Sequence, residues 1–123
     1  MNQMGMAQAI GGVNEKIEGF YDTCKRQGLT GTQGVIIPEA NRLELVLLPE
    51  ISRAIDEGKF HIWTMKTVFE AVELLMGIPA GETSFMEVSE FIHTIFGKVF
   101  QKLRYFDQEL HKRYDFSQKE YVA

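Results

Sequence analysis

The residue best placed for chemistry is Lys16, which follows a glycine pair in the segment Gln8-Ala-Ile-Gly-Gly-Val-Asn-Glu-Lys16. This segment predicts a short strand, a glycine turn and the start of a helix, with Lys16 at the border of the helix's apolar stripe. Partial burial of a lysine favours its neutral amine, which can act as a general base, and the positive end of a helix acts in the same direction. The alternative is an ordinary surface lysine that pairs with Glu15 or Glu18.

Other kinds of chemical site find little support in the sequence. The glycine pair lacks the Gly-Lys-Ser/Thr ending of a phosphate-binding loop and the third glycine of a dinucleotide fingerprint. No cluster of His, Cys and carboxylate residues has ligand spacing, since His61, His93 and His111 are far apart, so neither a metal nor a cofactor site is predicted in this chain. Asn41 follows a strand-ending proline and is expected to cap or bond the loop backbone.

Composition is that of one ordinary folded domain. The chain has 123 residues, 45% of them apolar, and a formal charge of −4, which gives no electrostatic reason to bind nucleic acid or an anionic membrane. Its single cysteine, Cys24, cannot form an internal disulfide, which fits a reducing compartment. Residues 1–8 do not resemble a signal peptide, and no stretch approaches the ~20 apolar residues of a membrane span. A soluble, cytoplasmic protein is expected.

The elements that must position Lys16 alternate between short strands and helices. A turn at residues 2–5 leads into a first strand, and further strands are predicted over 34–38 and 60–65. Helices are predicted over 13–27, 49–57 and 67–76, the last capped by Thr67, with a helical turn over 39–45. This order predicts an α/β fold of mixed layers. The core face of the first helix is predicted to comprise Val13, Ile17, Phe20 and Cys24.

A different pattern begins after residue 81. From Phe85 to about Tyr114 apolar residues recur at spacings of three and four, which predicts one long amphipathic helix, with Gly97 marking a kink or a close approach. Such a broad apolar face favours a core or subunit contact, and a groove for a substrate or partner is the alternative. Two parts are therefore predicted, residues 1–81 and a helical extension over 82–123 that packs on the first part or on a neighbouring subunit.

Several linked motifs resemble the Lon family of ATP-dependent proteases. The segment Ala9-Ile-Gly-Gly-Val-Asn-Glu-Lys16-Ile-Glu-Gly-Phe is similar to that family's catalytic-lysine segment, and the preceding Asn-Gln-x-Gly turn is typical of a Lon-related branch. The resemblance continues through Gly28-Leu-Thr-Gly-Thr-Gln-Gly-Val-Ile-Ile-Pro38, Asn41, Gly58-Lys-Phe-His-Ile-Trp63 and Glu70-Ala-Val-Glu-Leu-Leu-Met-Gly77. It spans roughly residues 2–81, which it identifies as the C-terminal portion of a Lon-type proteolytic domain.

The resemblance implies a Ser–Lys endopeptidase in which Lys16 takes the proton of an attacking serine. The family's serine lies upstream in a Gly-Asp-Ser-Ala context, and none of the chain's four serines, Ser52, Ser84, Ser89 and Ser117, stands in one. The full-length protein would use ATP and Mg²⁺, act on protein or peptide substrates and form a homo-oligomeric ring. The chain alone is expected to be inactive. The alternative is a non-catalytic remnant that serves as an oligomerisation or protein-binding module.

Overall fold

The computed structural model describes residues 1–81 and 87–120, with side chains up to residue 114. The described chain divides into two compact units, Met1–Ala71 and Val72–Ala123. The boundary between these units falls within a helix. The assignment of residues 1–81 to a portion of a protease domain stays a prediction. No helix among the described residues is long and apolar enough to cross a membrane.

The first unit is built from alternating helices and strands. The described elements are α1 (Val13–Gln27), β1 (Gly34–Pro38), a 3-10 helix (Glu39–Glu44), α2 (Pro49–Asp56), β2 (His61–Met65) and α3 (Val68–Met76), which runs on into the second unit. Strands β1 and β2 pair in parallel, from Gly34 opposite His61 to Pro38 opposite Met65. The α/β prediction is confirmed, and these elements begin and end within about one residue of the predicted bounds.

The predicted first strand is the exception in this unit. After the turn near residue 4 the chain forms only an isolated antiparallel bridge between Met6 and Thr67. The Ala7 N–H donates to the Lys66 carbonyl at 2.7 Å, but no ladder continues from there. Residues 7–10 belong to no strand of the described sheet, and α1 begins at Val13.

The core of the first unit is formed by side chains of α1, α2 and β1, together with Phe60. Its buried side chains are Val13, Ile17, Tyr21 and Cys24 of α1, with Ile37, Ile51, Ala54 and Phe60. Phe60 is fully buried, and its ring meets the Tyr21 ring edge-on at 5.3 Å between centroids. The predicted core role of Phe20 is wrong, because Phe20 is 42% exposed and the neighbouring Tyr21 occupies that part of the core face.

Gly34 allows β1 to approach β2 closely, and a side chain there should destabilise the sheet. An added Cβ would lie 2.3 Å from the His61 carbonyl oxygen and 2.5 Å from the Trp63 ring. We expect Gly34→Ala to lower the free energy of unfolding by about 1–3 kcal/mol, the usual cost of overpacking. Gly19→Ala is the matched control, because a Cβ at this α1 position meets nothing within 4 Å. It should raise stability by about 0.5–1 kcal/mol. Urea unfolding compares the two, and equal effects would contradict the packing argument.

The second unit contains α4 (Val88–Phe91) and α5 (Ile95–Glu120), so the predicted single long helix is divided. Thr94 causes the division: its hydroxyl accepts the Gly97 N–H at 3.1 Å, as an N-cap does, and donates to the Phe91 carbonyl at 2.6 Å. Gly97 marks a close approach, since an added Cβ would lie 1.8 Å from the Phe91 carbonyl oxygen. The predicted start at Phe85 lies outside the described residues.

Candidate functional site

Lys16 lies in the first turn of α1, directly after the glycine turn. Gly12 is the residue before the helix and has φ 66°, a left-handed conformation that favours glycine. The backbone N–H of Lys16 donates to the Gly12 carbonyl at 3.1 Å, so the turn and the lysine belong to one hydrogen-bonded unit. Residues that anchor this turn therefore also fix the backbone position of Lys16.

The side chain of Asn41 holds the chain segment that leads into that turn. Its Oδ1 accepts the Ile10 N–H at 2.9 Å, and its Nδ2 donates to the Ile10 carbonyl at 2.9 Å. A third bond runs from Nδ2 to the Glu44 carboxylate at 2.9 Å, and the side chain has no exposed surface. The amide thus pairs with Ile10 as a neighbouring strand would. The prediction that Asn41 bonds the backbone of its own loop is wrong, because the backbone groups that it bonds belong to Ile10, 31 residues away in the chain.

Asn14 anchors the first turn of α1 through a second pair of hydrogen bonds. Its Nδ2 donates to the Glu44 carbonyl at 3.1 Å, and its Oδ1 accepts the Val46 N–H at 2.9 Å. We call Asn14 and Asn41 the asparagine clamp. Asn14 was not predicted from the sequence, where the only signal was a polar residue beside the glycine pair. Together the two amides fix the backbone on both sides of that pair.

The Lys16 side chain is exposed on this fixed backbone. Among the residues that the structure describes it has no hydrogen bond or ion pair, so the pairing with Glu15 or Glu18 that was the alternative is not formed. The burial that would favour a neutral amine is not supplied by the described residues either. A second protein surface over Lys16 would be needed to exclude water from it.

An open backbone edge and an apolar cavity lie just before the turn. Gln8 and Ala9 are exposed, and their backbone groups have no hydrogen bond to any described residue. The adjoining cavity, of about 180 Å³, is lined mainly by apolar side chains, including those of Ile10, Pro38 and Met65. Such an edge can pair with an additional strand.

A carboxylate next to this region is held in its charged form. Glu39 follows β1, and hydrogen bonds from Thr64 and then Arg42 hold the pKa of its carboxyl below the usual range. The Arg42 guanidinium lies 3.3 Å from that carboxylate. Glu39 is thus an anion at neutral pH and is not suited to donate a proton.

The structure shows where the other residues singled out from the sequence lie. Cys24 is buried in the core, as predicted. His61 Nε2 is 2.7 Å from the Gly31 carbonyl oxygen, and its ring stacks on Trp63 at 5.3 Å. His93 and His111 lie in the second unit. Within the described ranges, no three His, Cys, Asp or Glu side chains are grouped so that they could hold a metal ion.

Comparison with known proteins identifies relatives. No protein-family model matches the chain. A protein of Escherichia coli (strain K12) named "Putative Lon protease homolog" is 47% identical over 90 residues, which are 71% of this chain and 15% of that protein. A protein of the same name from Haemophilus influenzae (strain ATCC 51907 / DSM 11121 / KW20 / Rd) is 44% identical over 77 residues, or 63% of this chain and 13% of that protein.

The chain spans about one seventh of the length of these relatives. At this identity the motif resemblance is confirmed. The chain is a Lon-related sequence, matched to Lon protease homologues over about two thirds of its length.

Proposed function

We propose that this chain forms the lysine-bearing part of a Lon-like, ATP-dependent serine endopeptidase that degrades proteins. Lys16 is the general base, and the serine comes from another part of the protein. The observation that carries this proposal is the asparagine clamp, which fixes the start of α1, where Lys16 is exposed and forms no ion pair with any described residue. A base must be held in position relative to its nucleophile, and the clamp is a device for doing so.

The chemistry of this pair needs a neutral lysine. The serine hydroxyl attacks the peptide carbonyl while the Lys16 amine takes its proton, and the resulting ammonium then gives that proton to the leaving amine. Lys16 is exposed in this chain, so the serine-bearing part must cover it to make the neutral form favourable. ATP and Mg²⁺ act in a separate ATPase module. The complete protein works as a cytoplasmic homo-oligomer on protein substrates.

The second candidate is a non-catalytic module for assembly or protein binding. It is favoured by one observation, the row of exposed apolar side chains on α5. In this case the Lon-related unit serves only as a scaffold for that helix. Substitution of Lys16 would then leave assembly and protein binding unchanged.

A graft separates the two candidates. Residues 1–81 replace the corresponding segment of a complete Lon-type domain that keeps its own serine, and hydrolysis of a fluorogenic peptide is measured. We expect the graft to cleave the peptide and to be labelled by a fluorophosphonate probe, which reacts with activated serines. The 123-residue chain alone should do neither. A folded graft without activity, or labelling of the chain alone, would refute the proposed division of the catalytic pair.

A further inference from the structure

Helix α5 carries a narrow apolar stripe, which we call the α5 seam. Its members are Val99, Leu103, Phe106 and Leu110, at spacings of four, three and four residues. Their exposed fractions are 49%, 60%, 48% and 65%, respectively. Alternating spacings of three and four residues are those of a heptad repeat, which keeps one face of a helix against a single partner helix.

The remaining positions of this part of α5 support a single docking face. Phe100 lies beside the seam and is 53% exposed. The side of the helix away from the seam is polar apart from Tyr105, with Lys98, Gln101, Arg104, Gln108, His111 and Lys112. The helix therefore presents one apolar surface, suited to one helical partner.

The charged residues beside the seam are complementary to those of a second copy of the same helix. Lys102 borders it on one side, with its ammonium 5.7 Å from the centre of the Phe106 ring. Glu109 lies one heptad later on the same border and is half-buried, and its carboxylate accepts a bond from Lys112 at 2.8 Å. In an antiparallel coiled coil, residues on this border face the same border of the partner helix. A second copy of α5 thus brings Lys102 against Glu109, and symmetry makes the contact twice.

We propose that α5 pairs with α5 of a second copy of this chain as an antiparallel two-helix coiled coil. With the centre between residues 104 and 105, Leu103 packs against Phe106 and Val99 against Leu110. Each apolar seam residue then meets an apolar residue of the other copy. Antiparallel helices also bring opposite ends of their dipoles together.

The parallel arrangement is less favourable because of Arg113. A parallel pair would place Lys102 against Asp107, which is also attractive, but it would align Arg113 with itself at the next seam position. In the antiparallel pair the two Arg113 residues are separated by about 25 Å along the axis, at 1.5 Å per residue. The like charges are then beyond each other's reach in ordinary salt.

Because the seam covers only about two heptads, the contact should be weak and reversible. We expect a dissociation constant no tighter than about 1 µM. The contact does not depend on the proposed proteolytic role, since it involves neither Lys16 nor the asparagine clamp. Its failure would leave the endopeptidase proposal standing.

Sedimentation equilibrium of the full chain tests the contact. The mass should rise from 14.1 kDa toward twice that value as concentration increases from about 1 µM to about 1 mM. Leu103→Lys puts a charge into the seam and should abolish this rise. Gln101→Lys adds the same charge on the opposite face and should leave it unchanged, and both substitutions keep good helix formers. Circular dichroism checks that the variants retain their helix.

Charge exchange then tests the orientation. Lys102→Glu should weaken association by at least about tenfold, because two attractive contacts become repulsive. Adding Glu109→Lys should restore it, whereas adding Asp107→Lys should not. Rescue by Asp107→Lys alone would mean a parallel pair and overturn the proposal. A monomer at every concentration, or association that survives Leu103→Lys through the open edge at residues 8–9, would overturn it as well.

Discussion

Lys16→Arg in a complete Lon-type domain that carries this segment should lower peptidase activity by about 10³-fold or more. Arginine keeps the length and positive charge of lysine but stays protonated at any working pH, so it cannot take the serine's proton. Lys16 is exposed and without a polar partner among the described residues, which means that the exchange should cost little stability. The measurement is kcat/KM for a fluorogenic peptide, together with thermal unfolding to show that the fold survives.

The control for this prediction lies on the same helix. Lys25 forms an ion pair with Glu50 of α2 that raises the pKa of its ammonium, and both side chains are about half exposed. Lys25→Arg preserves the charge and the ion pair, so activity should remain within about twofold of the unmodified domain. Activity that survives Lys16→Arg would remove Lys16 from the catalytic step. Equal losses in both variants would indicate damage to α1 instead.

Asn41→Ala should lower the free energy of unfolding of the chain by about 3 kcal/mol. The substitution removes three hydrogen bonds from a site with no exposed surface and leaves the N–H and carbonyl of Ile10 without their partner. Asn41→Asp should cost more, because it keeps the shape but replaces two N–H donors with an oxygen beside the Glu44 carboxylate. Urea unfolding monitored by Trp63 fluorescence measures both.

Asn14→Ala is the matched comparison, since it removes the same kind of amide from the other half of the clamp. Its two hydrogen bonds are at a half-exposed site where water can replace them, so the loss should be about 1 kcal/mol. In the complete domain both variants should reduce kcat, because each loosens the backbone that positions Lys16. Equal losses in Asn41→Ala and Asn14→Ala would show that burial of Asn41 does not strengthen its contribution to stability.

Most elements of this chain could be predicted from local pattern. Glycines at positions 12 and 28 bound α1, apolar residues recur along it, and β-branched residues followed by Pro38 define β1, so the elements formed at the predicted places. The α4–α5 division was missed because the hydrophobic spacing continues unbroken through Thr94. Only the hydroxyl's two hydrogen bonds, to Phe91 and Gly97, show that the helix restarts there.

The sequence by itself determined the Lon relationship, the α/β order and the place of Lys16 in the first turn of a helix, because motifs and periodicity are properties of neighbouring residues. Only the tertiary structure decided that Tyr21 and not Phe20 fills the core, and that Asn41 and Asn14 tie the Lys16 turn to residues distant in the chain. Those contacts join residues about 30 positions apart. Their partners are backbone groups, which every residue carries and which no sequence pattern distinguishes.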